Sequence, residues 1–159
     1  LMNSLMLSDA IERAGVKTCV QSAIEVSRVA QTFNRKDAIE ALESGRVVLF
    51  ACGTGEPYFS TDTTCILRAL EIGADAILVA KNGVEGVLTG DPRDGGDYEL
   101  IDAITFDELL ARNLKVMDAT AFEMCRENGM TMHIFGMDDV ENIYRAACGE
   151  KLGTHVTVD

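Results

Sequence analysis

The sequence predicts an α/β fold, a mainly parallel sheet layered with helices on both faces. Three observations carry that expectation. Strand-like apolar runs alternate with helical periodicity from end to end; RVVLFAC and DAILVA are the near-continuous apolar runs of strands covered on both faces; and the helical segments close on glycine. At 159 residues the chain is the size of one compact domain, so a single domain over residues 1–159 is expected. No internal repeat, low-complexity tract or linker divides it.

The elements follow in order. MNSLMLSDAIERAG has helical spacing and a stop at Gly15. VKTCVQSAIEV reads as a short strand followed by an irregular segment, polar between Ser22 and Arg35, that reaches a helix, DAIEALESG, closed by Gly45. After the RVVLFAC strand and a loop, TDTTCILRALEIGA is a helix with Ile66, Leu67, Leu70 and Ile72 toward the core. DAILVA is the next strand. KNGVEGVLTGDP, from Lys81 to Pro92, is glycine-rich and reads as a hairpin or long turn, and RDGGDYE as a polar surface loop. TFDELLARN is a helix capped by Thr105, with Glu108 completing a capping box. LKVM leads to Asp118, the N-cap of ATAFEMCRENG. TMHIFGM is a strand, DDVENIYRAACG a helix with two acids at its positive end, and GTHVTV a last strand.

Composition excludes several functions. A net charge of −12 argues against nucleic-acid binding, which needs a basic face to neutralise phosphates. It does not exclude a small phosphorylated ligand, which a few amide dipoles and a divalent cation can hold. No run approaches the roughly 20 apolar residues of a membrane span, and no secretory signal opens the sequence, so a cytoplasmic protein is expected. Cys19, Cys52, Cys65, Cys125 and Cys148 lack CxxC spacing and lie in or beside apolar stretches, as buried thiols do. His133 and His155 have no Cys or His close in sequence, which argues against a zinc site; no metal ligands are assigned.

The stretch ACGTGEPYFSTDTT carries the chemistry. It joins a strand's carboxyl end to a helix start, where unpaired N–H groups face the ligand crevice of an open α/β sheet. Gly53 and Gly55 permit close backbone approach, Thr54, Ser60 and Thr61 add hydroxyls, and Tyr58 and Phe59 look exposed. The stretch lacks the lysine of a GxxxxGK[ST] phosphate loop. From spacing alone it is equally a glycine turn with Ser60 or Thr61 as N-cap, and Asp62 an ordinary first-turn acid.

GTGEPYFSTDTT, LRALEIGADAILVAKNGVEGV with its following DP, LKVMDATA and GEKLGT stand in an order that resembles the bacterial UMP kinases of the amino-acid kinase family, over Asp9 to Thr154. The resemblance implies a three-layer αβα sandwich and transfer of the ATP γ-phosphoryl group to UMP, giving UDP and ADP in pyrimidine nucleotide biosynthesis. It implies UMP binding by Asp9, Thr54, Gly55, Glu56, Pro57, Tyr58, Phe59, Ser60 and Thr61, and ATP binding by Asn82, Leu88 and Asp91. Asp62 would orient a catalytic lysine or a metal-bound water, with Mg2+ arriving on ATP. A homo-oligomer, hexameric in the family, with GTP as activator and UTP as inhibitor, is also implied.

The sequence departs from the family pattern. Glu56 stands where Asn is common, and a carboxylate accepts from uracil N3–H or from a cytosine amino group; Leu88 stands where an aromatic is frequent; Glu85 replaces Asp. Family members open with a strand, a lysine-bearing glycine-rich loop and a Gly-Gly segment that this sequence does not contain. The chain is therefore expected to match the C-terminal two-thirds, N-terminally incomplete and inactive by itself. Lys81 is the only lysine near the presumed site and is expected to reach solvent. The competing readings are a non-catalytic nucleotide-binding or assembly fragment and another phosphotransferase of the same family.

Overall fold

The computed structural model describes residues 1–90 and 96–158. The chain divides into two compact units, Leu1–Gly73 and Ala74–Asp159.

In the first unit the order is α1 (Met2–Arg13), β1 (Thr18–Ser22), β2 (Gln31–Thr32), α2 (Arg35–Glu43), β3 (Val47–Ala51) and α3 (Thr61–Ile72). The sheet runs β2-β1-β3 and is wholly parallel, with Thr18 opposite Val47 and Ser22 opposite Ala51. The irregular segment of the sequence reading therefore contains a strand, β2, too short at two residues to leave an alternation signal. Helix α2 begins at Arg35 because the Asn34 side chain accepts from the Lys36 and Asp37 amides. Glu12 ties α1 to β1: its carboxylate accepts from the Thr18 hydroxyl at 2.8 Å and amide at 3.2 Å, and those bonds hold it below the usual carboxylate range. Arg68 of α3 is buried, its guanidinium 3.7 Å from the Phe33 ring centroid and paired with Glu71 at 2.5 Å.

The second unit contains β4 (Ile77–Lys81), β5 (Ala103–Thr105), α4 (Phe106–Ala111), α5 (Ala119–Glu127), β6 (Met132–Gly136), α6 (Glu141–Ala147) and β7 (Thr154–Thr157). The sheet order is β4-β6-β7-β5; β4 with β6 and β5 with β7 are parallel, and β6 with β7 is antiparallel. The parallel α/β expectation is met, with one antiparallel pair. Strand β5, absent from the sequence reading, occupies the three residues directly before the α4 cap, where helix signals dominate. The Thr105–Glu108 capping box and the Asp118 N-cap form as predicted. Met132, Ile134, Phe135, Val156, Phe106 and Leu109 make a core that is almost fully buried, with Phe106 and Phe122 edge to face at 5.1 Å.

Three expectations need correction. Strands β3 and β4 are not fully covered: Val47 and Leu78 are exposed and most neighbours half-buried, so apolar runs of this kind report strand type better than coverage. The cysteines are not uniformly buried: Cys125 is, Cys19 and Cys52 are half-buried, and Cys65 and Cys148 are exposed. His133 and His155, 22 positions apart, face each other across the antiparallel pair with rings stacked at 4.0 Å. His133 Nε2 is hydrogen-bonded to the Leu152 carbonyl. No group of three or more His, Cys, Asp or Glu side chains is arranged to hold a metal among the described residues. No described helix is long and apolar enough to cross a membrane.

Two outcomes are expected. Phe106→Ala lowers unfolding free energy by about 3–5 kcal/mol, measured by guanidinium titration, because Phe106 is fully buried. His155 has its pKa lowered by partial burial, then by His133 and Lys151. Its protonation therefore favours the unfolded chain, and its contribution is present above the unfolded value and lost as pH falls from there through the lowered folded value. Tm should fall between pH 7.5 and 5.5, and His155→Gln should shrink that fall.

Candidate functional site

In the first unit the candidate site is the connection from β3 to α3. Helix α3 starts where the Ser60 hydroxyl accepts from the Thr63 amide at 3.0 Å. Asp62, half-buried, stands in the first turn, at the positive end of the helix dipole. The bland capping reading of Ser60 is thus correct as local structure, and it leaves the loop before it unexplained.

That loop is held in an uncommon shape. Cys52, Gly53, Gly55 and Tyr58 have φ of 69, 65, 84 and 71°, in the left-handed region. The Gly55 amide donates to the Cys52 carbonyl at 3.1 Å, and the Thr54 hydroxyl accepts from the Glu56 amide at 3.1 Å. A Cβ at Gly55 would meet the Ala23 carbonyl oxygen at 3.0 Å, so glycine there serves both the dihedral and the close approach to the segment after β1. Residues 55–61 are exposed, and Tyr58 and Phe59 stand out in solvent rather than folding back on the core. Left-handed non-glycine backbone costs free energy and persists at ligand-binding loops.

The sequence-predicted residues of this site are contiguous except one. Thr54 to Asp62 lie together on the loop and the first turn of α3. Asp9 stands apart on an exposed turn of α1, where its carboxylate pairs with Arg13 at 2.7 Å.

In the second unit a cleft of about 740 Å³ opens beside the carboxyl end of β4, a volume suited to a nucleotide-sized ligand. Its walls are Lys81, the glycine-rich segment Gly83–Gly90, residues 113–116 and Ile134 of β6. Leu88, predicted for ATP, is a wall residue; Asn82 is exposed next to it; Asp91 lies outside the described residues. The hairpin or long turn expected within Lys81–Pro92 needs correction: Leu88 is bridged instead to Leu100 beyond that stretch, with the Thr89 amide donating to the Glu99 carbonyl at 2.9 Å. Residues 91–95, which hold the end of that stretch and the start of the expected RDGGDYE loop, lie outside the described residues. The Gly83 amide donates to both Asp138 carboxylate oxygens, at 3.1 and 3.2 Å, which fixes the start of the segment.

Two expectations about lysine change here. Lys81 does not run out to solvent: it is half-buried in the wall, and its ammonium donates to the Val116 carbonyl. Nor is it the only lysine near the cleft, because Lys115 also lines it. Sequence reasoning did not place residues 113–116 at the site, although Leu114, Lys115 and Val116 open the LKVMDATA motif that carries the resemblance. In the structure Asn113, with φ of 53°, is the third left-handed non-glycine among the described residues, and the other two are in the β3–α3 loop.

Comparison with known proteins fits this geometry. The family model described as "Amino acid kinase family" matches residues 1–136. The chain is 50% identical over 157 residues to a protein named uridylate kinase from Arthrobacter sp., covering 99% of this chain and 64% of that one. It therefore spans just under two-thirds of that curated relative's length. Among solved structures, UMP kinase from Bacillus anthracis matches at 33% identity and a TM-score of 0.93, covering 99% of this chain and 65% of that one. UMP kinase from Ureaplasma parvum matches at 36% and 0.92, covering 98% and 66%. With the family model covering most of its length, and with parallel α/β units each presenting a glycine-rich loop at a strand's carboxyl end, the chain belongs to the amino acid kinase family.

Proposed function

We propose that the chain is a nucleoside monophosphate kinase, or the greater part of one, that transfers the γ-phosphoryl group of ATP to UMP and yields UDP and ADP for pyrimidine nucleotide biosynthesis. The observation that carries this reading is the β3–α3 loop. Its left-handed backbone carries the exposed Tyr58 and Phe59 up to the start of α3, in a chain half identical to proteins named uridylate kinase.

In this reading the loop from Thr54 to Thr61 takes the acceptor. Amides and the Thr54 and Thr61 hydroxyls bind polar groups of the nucleotide, Tyr58 or Phe59 covers the base, and the Glu56 carboxylate accepts from the pyrimidine edge. Asp9 is assigned to the ribose, and binding would have to compete with its exposed Arg13 pair. The cleft of the second unit takes ATP, with Leu88, Asn82 and Asp91 as contacts. Lys81 and Lys115 supply positive charge at its walls. An aliphatic Leu88 covers adenine without stacking on it.

Phosphoryl transfer depends on positioning and on charge neutralisation rather than on covalent help. Asp62, being anionic, cannot neutralise the spreading charge; it orients a cationic partner at the head of α3. Mg2+ binds with few protein carboxylates and several phosphate oxygens, and supplies charge neutralisation when bound; Asp62 is the carboxylate of this chain suited to face it. Homo-oligomer formation, activation by GTP and inhibition by UTP belong to the same proposal, and the exposed Met2, Met6 and Leu7 of α1 offer an apolar surface for self-association.

The test is a coupled assay of UDP formation with a form of the enzyme spanning the full length of the relatives. Asp62→Asn should lower kcat at least about a hundredfold while the Kd for UMP changes by less than about threefold. Equal kcat in variant and parent would remove Asp62 from the chemistry. In the same assay Glu56→Asn should raise the UMP-over-CMP ratio of kcat/KM; an unchanged ratio would place Glu56 off the pyrimidine edge.

A further inference from the structure

The cleft wall that carries Val87, Leu88 and Gly90 is one arm of an antiparallel pairing with the segment around Leu100, and the pairing departs from a regular ladder at one bond. The two arms meet at Leu88 and Leu100. On one side of that bridge Ile101 donates its amide to the Val87 carbonyl at 2.9 Å. In an antiparallel ladder such a pair exchanges two bonds, the second running from the Val87 amide to the Ile101 carbonyl. Here that second bond is replaced. The Thr154 hydroxyl stands between the two groups, accepting from the Val87 amide at 2.8 Å and donating to the Ile101 carbonyl at 2.5 Å.

Thr154 is the first residue of β7, paired in register with Ile134 of β6, and it is fully buried. Its surroundings are built for close approach. A Cβ at Gly86 would meet the Thr154 hydroxyl oxygen at 2.7 Å, and a Cβ at Gly153 would meet the Glu85 carbonyl oxygen at 2.7 Å. Both glycines let the arm settle against the start of β7, so that one hydroxyl spans three segments. Buried donors and acceptors left without partners cost free energy, so loss of this hydroxyl orphans the Val87 amide and the Ile101 carbonyl together.

We infer that Thr154 is a positioning residue for the nucleotide cleft: its inserted hydroxyl fixes the arm that places Val87 and Leu88 against an adenine nucleotide. The inference rests on the reading of that cleft as the ATP site. It assigns the GEKLGT motif a purpose at its last residue, which touches the cleft arm and not the ligand.

The experiment compares Thr154→Val, isosteric but without the hydroxyl, with Thr154→Ser, which keeps it. ADP and UMP affinities are measured by calorimetry on the 159-residue chain, with amide exchange at Val87 followed by NMR. Thr154→Val should weaken ADP binding about tenfold, speed exchange at Val87 and leave UMP affinity within about twofold, while Thr154→Ser restores ADP binding. A Thr154→Val chain that binds ADP like the parent, or one that loses UMP binding in parallel, overturns the inference and leaves the cleft's assignment standing. A parent chain that binds no ADP overturns the assignment of the cleft itself and this inference with it. Should Thr154→Val fail to fold, a Thr154→Ser chain that folds yet binds ADP about tenfold more weakly than the parent overturns it, since the hydroxyl would then not set the arm.

Discussion

Parallel pairing is the constraint on which both candidate sites depend. When β1 aligns with β3, and β4 with β6, the carboxyl ends of neighbouring strands come out level and their connections must leave on the same side. In the first unit that forces the chain after Ala51 to turn within nine residues into α3. The turn is made with left-handed backbone at Cys52, Gly53, Gly55 and Tyr58. In the second unit Lys81 ends β4 opposite Gly136 of β6. The segment that follows is pressed against β6 and β7, where Gly136 and Gly153 leave room for backbone alone.

The consequence is a division of labour between backbone and side chains. Cationic groups are few at both sites, in keeping with a net charge of −12: the β3–α3 loop contains none, and Lys81 and Lys115 line the cleft. In the proposed function, recognition of an anionic nucleotide would fall to amide dipoles at the head of α3, to the glycine-rich segment and to two lysines, Lys81 and Lys115. Local fields of this kind act over a few ångströms and are little affected by the mean charge of a surface screened by salt.

Much of this was legible in the sequence, for reasons that can be named. Caps and periodicity are local, so the Thr105–Glu108 box, the Asp118 cap and the helices themselves could be read directly. Strands β2 and β5 could not, because two or three residues are too few for a pattern. The β3–α3 loop was visible because its residues are contiguous. The cleft was only half visible: Leu88 and Asn82 belong to a glycine-rich motif, whereas Lys115 reaches the same wall from about thirty residues away and Thr154 from farther still. The His133–His155 stack was hidden for the same reason, since strand register is a property of the fold and not of either neighbourhood.

The central claim is that the two units carry separate nucleotide sites, the acceptor on the β3–α3 loop and the donor in the cleft beside β4. Amide chemical-shift mapping of the chain with UMP alone, then with a non-hydrolysable ATP analogue alone, addresses it most directly. The account predicts that UMP shifts cluster between Cys52 and Thr64, and that the analogue shifts cluster between Lys81 and Gly90 and at residues 113–116. Shifts from both ligands on the same set of amides, or from UMP in the cleft of the second unit, would contradict it.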